Sequence, residues 1–351
     1  MDCPVVCLLE NQHEARKNVF LSTTHLNALI RKSKIPGLSS ENSRPFLTKQ
    51  VKLHNIILTS TNLLFKDCQS MRFGFHISIA GGFSKVAERA KIRGCDTIQF
   101  FSRNPRGWKY APLDRGEVGK FRSSIKLSGL FPIFIHLPYL PNISHRGSKF
   151  YDRSVDSVAT DLERAERLGA QYLIIHIGHR MESSEEEAIS AVSKGIDLAF
   201  ERVKNSVTLL LENTAGQGSE IGYNFEQIKK IIDRVHEEKR MGVCLDTAHS
   251  FGAGYDLSKK DGIESTLESF DRTIGLKRLH LLHLNDSRAA LGSRKDRHWH
   301  IGEGHIGLDG FRYLINHPSI RHLPGIMETP RKDTVEDLRN MKVIRSLVEE
   351  A

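Results

Sequence analysis

From residue 71 onward, the hydrophobic positions of this sequence alternate between two spacings. Short apolar, β-branched or aromatic runs are typical of buried strands, and between them apolar residues recur every three or four positions, as on one face of a helix. The runs predict eight strands, at residues 73–76, 97–101, 131–136, 172–176, 207–212, 242–246, 279–283 and 325–328.

Helices are predicted between these strands. The clearest is followed by Gly169, a residue type that commonly terminates helices, and its apolar face comprises Val155, Val158, Ala159, Leu162, Ala165 and Leu168. Similar patterns occupy residues 83–90, 225–232 and 263–274, the last of which is followed by Gly275. Strands that alternate with helices pair in parallel through right-handed crossovers. Eight such units in the 281 residues from 71 to 351 match an α/β fold, the (β/α)8 TIM barrel of about 250 residues. An open, doubly wound sheet is the alternative architecture.

The first 70 residues differ from the rest of the chain. They are rich in Ser, Thr, Asn and Leu, show no sustained period, and carry nine basic and five acidic residues. A mitochondrial presequence is nearly free of acids and a secretory signal has an apolar run behind basic residues, so neither is predicted. We expect residues 1–70 to form a poorly ordered extension, followed by one barrel domain at residues 71–351.

The composition is that of an ordinary globular protein, with 39% hydrophobic and 26% charged residues, which excludes a wholly disordered or collagen-like chain. No apolar run approaches the roughly 18 to 20 residues that span a bilayer, so no membrane contact is expected. The net charge of +9 suits a polyanion such as nucleic acid without requiring one. Five cysteines without paired spacing predict free thiols in a reducing compartment, and we expect a cytoplasmic location, at the nucleoid in a prokaryote.

Six consecutive predicted strands end on a residue type that binds metals. These residues are His136, His176, Glu212, Asp246, His283 and Glu328, separated by 40, 36, 34, 37 and 45 positions. The carboxyl ends of barrel strands converge on one face, where active sites are built. Polar residues also cap strands at solvent, but that explains one or two positions rather than six. Carboxylates gathered at one face repel one another unless cations neutralise them, so the pattern predicts a metal centre.

Three more candidate ligands follow the strand ends. His249 lies three residues after Asp246, and Asp296 and His298 form an Asp-Arg-His sequence in the loop after the seventh strand. Nine ligands exceed the roughly four that one zinc takes, so two or three ions that share a carboxylate are expected. Imidazole ligands favour zinc over magnesium, and zinc is the first choice, with manganese an alternative at some sites.

A glycine motif in the same region matches the dinucleotide-binding pattern G-x-G-x-x-G at Gly302, Gly304 and Gly307. No predicted strand leads directly into the motif, and histidines surround it, so nicotinamide binding is not predicted. The sequence also contains no Ser-centred nucleophile elbow and no P-loop.

The segments around the candidate ligands closely resemble the endonuclease IV family of apurinic/apyrimidinic endonucleases. They are FIHLPYL (134–140), LIIHIG (173–178), LLENTAGQGSEIG (210–222), GVCLDTAHSFGAGYD (242–256), LLHLNDS (281–287) and GSRKDRHWHIGEGHIG (292–307). The similarity runs from about Met71 to the C-terminus and leaves residues 1–70 outside it. It implies a TIM barrel of the xylose isomerase-like type with three zinc ions. Such an enzyme cleaves double-stranded DNA 5′ to an abasic site and leaves a 3′-hydroxyl and a 5′-deoxyribose phosphate.

Carried over position by position, the resemblance distributes the nine ligands over the three zinc ions. The sets are His136, His176 and Glu212 for the first ion, a bridging Glu212 with Asp246, His283 and Glu328 for the second, and His249, Asp296 and His298 for the third. Glu212 and Glu328 are the candidate catalytic residues.

The resemblance also places Arg106, Tyr139 and Leu140 against DNA. These side chains would enter the base stack and fill the space left by a flipped-out abasic nucleotide. Ordinary loop packing is the alternative for Tyr139 and Leu140. Pro141 departs from the family, which usually carries an apolar residue there, and it can alter the path of this loop. A monomer is expected.

Two other classes of protein compete with this interpretation. Metal-dependent sugar isomerases and epimerases share the barrel but use one or two divalent ions and no DNA, and the third ligand set and Arg106 argue against them. A non-enzymatic DNA-binding or scaffold protein would keep the fold alone, and the intact ligands argue against that class.

Overall fold

The computed structural model describes residues 70–331 and 333–349. Its strands are β1 (Arg72–His76), β2 (Thr97–Phe101), β3 (Ile133–His136), β4 (Tyr172–His176), β5 (Thr208–Glu212), β6 (Met241–Asp246), β7 (Leu279–His283), β8 (Asp286–Ser287), β9 (His298–Trp299) and β10 (Pro324–Met327). Strands β1 to β7 pair in parallel in chain order, and β10 pairs in parallel with both β7 and β1, which closes an eight-stranded barrel. The short strands β8 and β9 form a separate antiparallel pair.

Helices follow most of the barrel strands. In the described part of the chain they are α1 (Val86–Ile92), α2 (Arg115–Leu127), α3 (Tyr151–Leu168), α4 (Glu185–Arg202), α5 (Phe225–Arg234), α6 (Thr247–Ala253), α7 (Lys260–Thr273), α8 (Gly307–Asn316) and α9 (Thr334–Ser346). Short 3-10 helices occupy Phe83–Lys85, Glu238–Arg240 and Leu276–Arg278. None of the described helices is long and apolar enough to cross a membrane.

The barrel predicted from the sequence is confirmed, and the alternative of an open sheet is wrong. The predicted strand at 131–136 begins two residues late, because Pro132 has no N–H to donate to the ladder. The last barrel strand ends at Met327 rather than at Glu328, whose backbone N–H donates to Oδ1 of Asn285 at 2.8 Å instead of to a neighbouring strand. The predicted extension lies outside the described residues, apart from Ser70.

The predicted helices also form, with one difference. Gly169 ends α3 with a φ of 78°, in the left-handed conformation that glycine adopts without steric cost. The stretch predicted as one helix at 83–90 divides into the 3-10 turn Phe83–Lys85 and helix α1. The apolar side chains of this stretch still pack into the core between helices and strands, as the helical spacing predicts.

A second, smaller core fills the inside of the barrel. It consists of Phe134, Ile174, Leu210, Cys244, Leu281 and Ile326, all fully buried. Each of these six residues lies two positions before one of the six strand-end residues that the sequence singles out. Side chains two apart on a strand point to the same side. The interior layer is therefore the floor beneath those six polar side chains.

Candidate metal centre

The candidate ligands converge into one cluster above the interior layer. Their donor atoms form three overlapping groups, each within 4.8 Å: His136, His176 and Glu212; Glu212, Asp246, His283 and Glu328; and Asp246, His249 and His298. The shared members make the three groups one continuous centre. Parallel strands that end on the same side of the barrel bring these residues together across almost 200 positions of sequence.

Glu212 occupies the middle of this centre and is fully buried. Its Oε2 lies 2.9 Å from Nε2 of His136 and 3.4 Å from Nε2 of His176. Its Oε1 lies 3.0 Å from Nδ1 of His283 and 3.4 Å from Nδ1 of His249. One carboxylate thus contacts histidines of the first and second groups through different oxygens, as expected of a ligand that bridges two ions.

Three of the histidines have their outer nitrogen fixed by an oxygen acceptor. Nδ1 of His136 donates to the carbonyl of Leu137 at 2.6 Å, and Nδ1 of His249 donates to the carbonyl of Asn213 at 2.9 Å. Nε2 of His283 donates to Oε1 of Gln99 at 2.7 Å. These acceptors place the ring proton on the outer nitrogen, which leaves the lone pair of the inner nitrogen directed into the cluster. This arrangement typically surrounds metal-binding imidazoles.

The negative charges of the carboxylates in this cluster have to be neutralised by cations. Four carboxylates meet there, and within residues 70–331 and 333–349 every ion pair of Glu212, Asp246, Asp296 and Glu328 goes to a histidine rather than to lysine or arginine. Burial alone would raise the pKa of Glu212, but the imidazoles of His176 and His283 outweigh it and hold the pKa well below its ordinary value. Burial of Glu328 is likewise outweighed by His283, which lowers its pKa.

The charge and the donor atoms of the site can be compared with those that zinc requires. Glu212 and Asp246 are fully buried, and burial does not neutralise Glu212, because the neighbouring imidazoles hold its pKa low. Buried charges of one sign are stable when a metal neutralises them. The donors are imidazole nitrogens and carboxylate oxygens, the set that zinc takes in catalytic sites. The residues present therefore fit a multinuclear zinc centre.

The third group differs in one member from the set that the resemblance implies. The geometry groups Asp246 with His249 and His298, and Asp296 lies against both imidazoles. Its Oδ2 is 3.3 Å from Nε2 of His249 and its Oδ1 is 3.2 Å from Nε2 of His298. His298 is brought to this position by the β8–β9 pair, in which it lies opposite Ser287. Asp296 is thus part of the centre, at its more exposed edge.

Polar residues of β1 and β2, and one that follows β7, support the centre, and none of them was predicted from the sequence. The amide nitrogen of Gln99 on β2 donates to Oε1 of Glu328 at 2.6 Å, and Nδ1 of His76 at the end of β1 lies 3.2 Å from the same oxygen. Asn285 donates to Oδ2 of Asp246 at 2.7 Å. His76 had a signal that could have been used, because it ends its predicted strand as the six singled-out residues do. Gln99 lies in mid-strand and had none.

The three candidate DNA-contact residues lie on loops beside the centre. Tyr139 is 69% exposed and Leu140 is 43% exposed. The Tyr139 ring centroid is 5.9 Å from that of His176 and 6.2 Å from that of His136. Arg106 is exposed and lines a cavity of about 590 Å³ that also reaches His76, the residue bonded to Glu328. These positions place exposed aromatic, apolar and cationic side chains at the mouth of the cluster.

The glycine motif encloses a carboxylate of the protein itself. The backbone N–H groups of Gly302 and Gly304 donate to Oδ2 of Asp286 at 2.9 and 3.0 Å, and that of Ile306 donates to Oδ1 at 2.9 Å. A Cβ on Gly304 would clash with the Asp286 carboxylate, so glycine is required for this close approach. The motif therefore holds the loop that follows His298 in place.

The fold and the cluster of histidines and carboxylates define a class of protein. Residues 87–347 match the family described as xylose isomerase-like TIM barrel. A D-tagatose 3-epimerase-like protein of known structure shares this fold, with a TM-score of 0.59 and 17% identity over 79% of this chain and 98% of that one.

Closer relatives identify the family within that class. A probable endonuclease 4 of Methanoculleus marisnigri is 43% identical over 278 residues, which cover 78% of this chain and 98% of that protein. The crystal structure of endonuclease IV from Thermus thermophilus superposes with a TM-score of 0.71 at 37% identity, covering 80% of this chain and all of that one. The chain belongs to the endonuclease IV family.

Proposed function

We propose that this protein is a DNA repair endonuclease that hydrolyses the phosphodiester bond 5′ to an abasic site in double-stranded DNA. The observation that supports this most strongly is that four carboxylates converge around Glu212 at the mouth of the barrel. Glu212 and Asp246 are fully buried, and among the described residues all four form ion pairs with histidines only. A family relationship to endonuclease IV proteins over almost the whole length of those relatives supports the same substrate class.

Three zinc ions would be held by nine residues. The first ion would be bound by His136, His176 and Glu212, the second by Glu212, Asp246, His283 and Glu328, and the third by His249, Asp296 and His298. Manganese would be able to replace zinc at some of these sites. Bound zinc supplies a Lewis acid that polarises phosphoryl oxygens and makes water acidic enough to act as a nucleophile at neutral pH. The Asp246 carboxylate, which contacts imidazoles of two groups, joins the second and third sets.

Hydrolysis of the phosphodiester bond requires a water molecule held next to the phosphorus atom. The oxygen of an attacking water forms a bond to phosphorus, the bond between phosphorus and the 3′ oxygen breaks, and a proton from the water ends on the departing 3′ oxygen. We assign Glu212 and Glu328 as the catalytic residues. Their carboxylates would hold the attacking water, because both lie at the mouth and both are kept ionised by neighbouring imidazoles. Gln99 and His76 fix the carboxylate of Glu328 in that position.

Recognition is assigned to the loops after β2 and β3. Arg106, Tyr139 and Leu140 are exposed there, next to the cluster. An abasic nucleotide has no base to unpair, so its extrusion costs less than the few kcal/mol that a normal nucleotide needs. Side chains that fill the vacated space would stabilise the extruded state, which favours abasic sites over undamaged DNA.

An assay on a defined duplex tests the proposal. The substrate is a duplex with one tetrahydrofuran abasic analogue, the control is the same duplex without it, and the metal content of the protein is measured in parallel. Incision immediately 5′ to the analogue, with a 3′-hydroxyl product and an intact control, is expected. If metal-loaded protein left the analogue intact but epimerised a ketose, the sugar-epimerase function of its distant structural relatives would replace the proposal.

A further inference from the structure

Helix α3 buries a row of polar residues where a helix of this fold normally buries apolar ones. Ser157, Asp161 and Arg164 are all buried, and their spacing of four and three residues places them on one face of the helix. Burying ionised side chains is costly unless each finds a partner. The row therefore marks a specific contact surface.

That surface holds both ends of the loop between β2 and α2. The Asp161 carboxylate accepts hydrogen bonds from the Ser102 hydroxyl and from the Tyr110 hydroxyl, the latter at 3.2 Å. Arg164 donates to Oγ of Ser102 at 3.0 Å and to the carbonyl of Ala111 at 2.9 Å. The chain is thus attached to α3 where the loop begins, at Ser102, and again near its end, at Tyr110 and Ala111.

A buried arginine, Arg103, connects the middle of the loop to Tyr110 and Asp161. Arg103 is 3% exposed, its guanidinium carbon lies 4.3 Å above the ring centre of Tyr110, and its Nε lies 3.7 Å from Oδ2 of Asp161. It also donates to the carbonyl of Gly107, near the tip of the loop. We call Asp161, Arg164, Tyr110 and Arg103 the α3 clamp.

The segment held by this clamp carries Arg106. The backbone N–H of Arg106 donates to Oδ1 of Asn104 at 3.0 Å, which closes a tight turn at the tip. Trp108, two residues further on, stacks on Phe150 with ring centres 6.0 Å apart. The Arg106 backbone is fixed on both sides while its side chain remains exposed.

We propose that the α3 clamp positions Arg106 for its contact with DNA, and that Asp161 and Tyr110 are positioning residues of the enzyme. The inference rests on the proposed function, because it concerns the binding of abasic duplex. An exposed arginine on a free loop loses conformational entropy when it binds, and a loop that is already ordered avoids this loss. None of the clamp residues reaches the candidate ligands, so they act through the loop.

The test uses Tyr110→Phe, which removes the hydroxyl and keeps the ring beneath Arg103. The matched control is Tyr151→Phe, because Tyr151, the first residue of α3, is buried and its hydroxyl likewise donates a hydrogen bond, to the carbonyl of Ala191 at 2.6 Å. Trypsin cleavage after Arg106 and Lys109 in the native protein reports loop opening without any reference to activity. We expect faster cleavage there in Tyr110→Phe, and no change at these sites in Tyr151→Phe.

Enzyme kinetics distinguish an effect on the position of Arg106 from an effect on the stability of the protein. Loss of a hydrogen bond of this kind predicts a KM for abasic duplex that is about three- to tenfold higher in Tyr110→Phe, with kcat, metal content and Tm nearly unchanged. In an Arg106→Ala background, Tyr110→Phe should raise KM no further, because the side chain being positioned is gone.

The outcomes are distinguishable. Unchanged trypsin cleavage in Tyr110→Phe would overturn the clamp. An equal rise in KM with and without Arg106 would overturn its connection to Arg106. Failure of the parent protein to incise abasic duplex would instead overturn the proposed function, and the role of Arg106 with it, while the trypsin result would still report whether the clamp orders the loop.

Discussion

The amide oxygen of Gln99 accepts a hydrogen bond from Nε2 of His283 at 2.7 Å. The amide nitrogen of the same side chain donates to Oε1 of Glu328 at 2.6 Å. One neutral residue on β2 thus orients a histidine and a carboxylate that are proposed to bind the same ion. A neutral amide can serve both partners because it is a donor at one end and an acceptor at the other.

The metal content follows from the number of convergent ligands. Because one zinc takes about four ligands, we expect about two to three zinc ions per chain after mild purification. Removing them with a chelator should lower Tm, because the ions bind the folded state and because the buried carboxylates lose their neutralising charge. Elemental analysis and thermal unfolding measure the two effects. One ion or none, or a Tm that does not respond to the chelator, would contradict the multinuclear centre.

Glu212→Gln is expected to keep the fold and lose most of the activity. The amide is almost the same size as the carboxylate, but it cannot bridge two cations with its charge, so we expect a loss of cleavage on the order of 10²-fold or more. Glu264→Gln, which alters a carboxylate of α7 that contacts His317 at 3.2 Å, serves as the control. Near-normal incision by Glu212→Gln would remove this residue from the mechanism.

Arg106 and Tyr139 are expected to affect recognition and not the metals. Replacing both with Ala should leave metal content and Tm nearly unchanged, because both side chains are exposed. Stacking contributes about 1 to 3 kcal/mol per base, so binding to abasic duplex should weaken roughly tenfold to a hundredfold. Binding to undamaged duplex should weaken less, because no gap is filled there.

A double variant of α8 is the matched control for that experiment. Arg312 and Tyr313 are neighbours on this helix, and Tyr313 is an exposed aromatic residue, as Tyr139 is. Their replacement with Ala should leave the affinity for both duplexes unchanged. Equal affinity of the Arg106 and Tyr139 variant and the parent for abasic duplex would refute the DNA-contact assignment.

A chain that begins at Met71 should fold and cleave abasic duplex much as the full chain does. Met71 is buried and immediately precedes β1, the barrel closes through the pairing of β1 with β10, and every candidate ligand lies after this point. Circular dichroism, thermal unfolding and the incision assay make the comparison. An insoluble or inactive product would show that residues 1–70 contribute to the barrel or to the site.

The titration of Asp161 in the α3 clamp should make the free energy of unfolding depend on pH. Burial raises the pKa of Asp161 to about 6, against the opposing effect of the Ser102 hydrogen bond and of the neighbouring arginines. The pKa of an unfolded aspartate is about 3.9. Between about pH 4 and pH 6 the folded protein therefore retains a proton that the unfolded chain releases, so the contribution of this carboxyl to the free energy of unfolding falls as pH rises.

The variant Asp161→Asn cannot titrate and isolates this contribution. The free energy of unfolding of the parent minus that of the variant should decrease by on the order of 2 kcal/mol between about pH 4 and pH 6, and it should stay flat outside this window. Denaturant titrations at a series of pH values measure the difference. A difference that rises with pH would mean that the carboxyl has a lowered pKa in the folded state.

The sequence predicts the barrel well because its two kinds of periodicity are both strong. β2, β4 and β7 begin and end where the apolar runs do, whereas β3 and β10 differ where a proline or a side-chain acceptor replaces a ladder partner. Pro132 lies inside the apolar run itself and does not disturb its pattern, whereas Asn285 is distant in sequence from Glu328, so periodicity reveals neither replacement.

The sequence predicts some residues of the candidate centre and misses others. The strand-end pattern identifies the six barrel residues, and the structure brings all six together. Gln99 is missed because a single polar residue in an apolar strand has no spacing to mark it. Asp161 and Arg164 are missed for another reason: the apolar pattern of α3 is complete without them, so the polar row beside it adds nothing to the helix signal.

The interval of two residues between the interior layer and the candidate metal-binding positions fixes which side of each strand faces the barrel interior. A single inserted or deleted residue in β5, for example, would turn Glu212 toward the helices and an apolar neighbour toward the centre. The connections between the strands are under no such constraint, since the residues at successive strand ends are 34 to 45 positions apart. Length changes in this protein should therefore be incompatible with the chemistry inside the strands and be tolerated in those connections that carry none of the candidate residues.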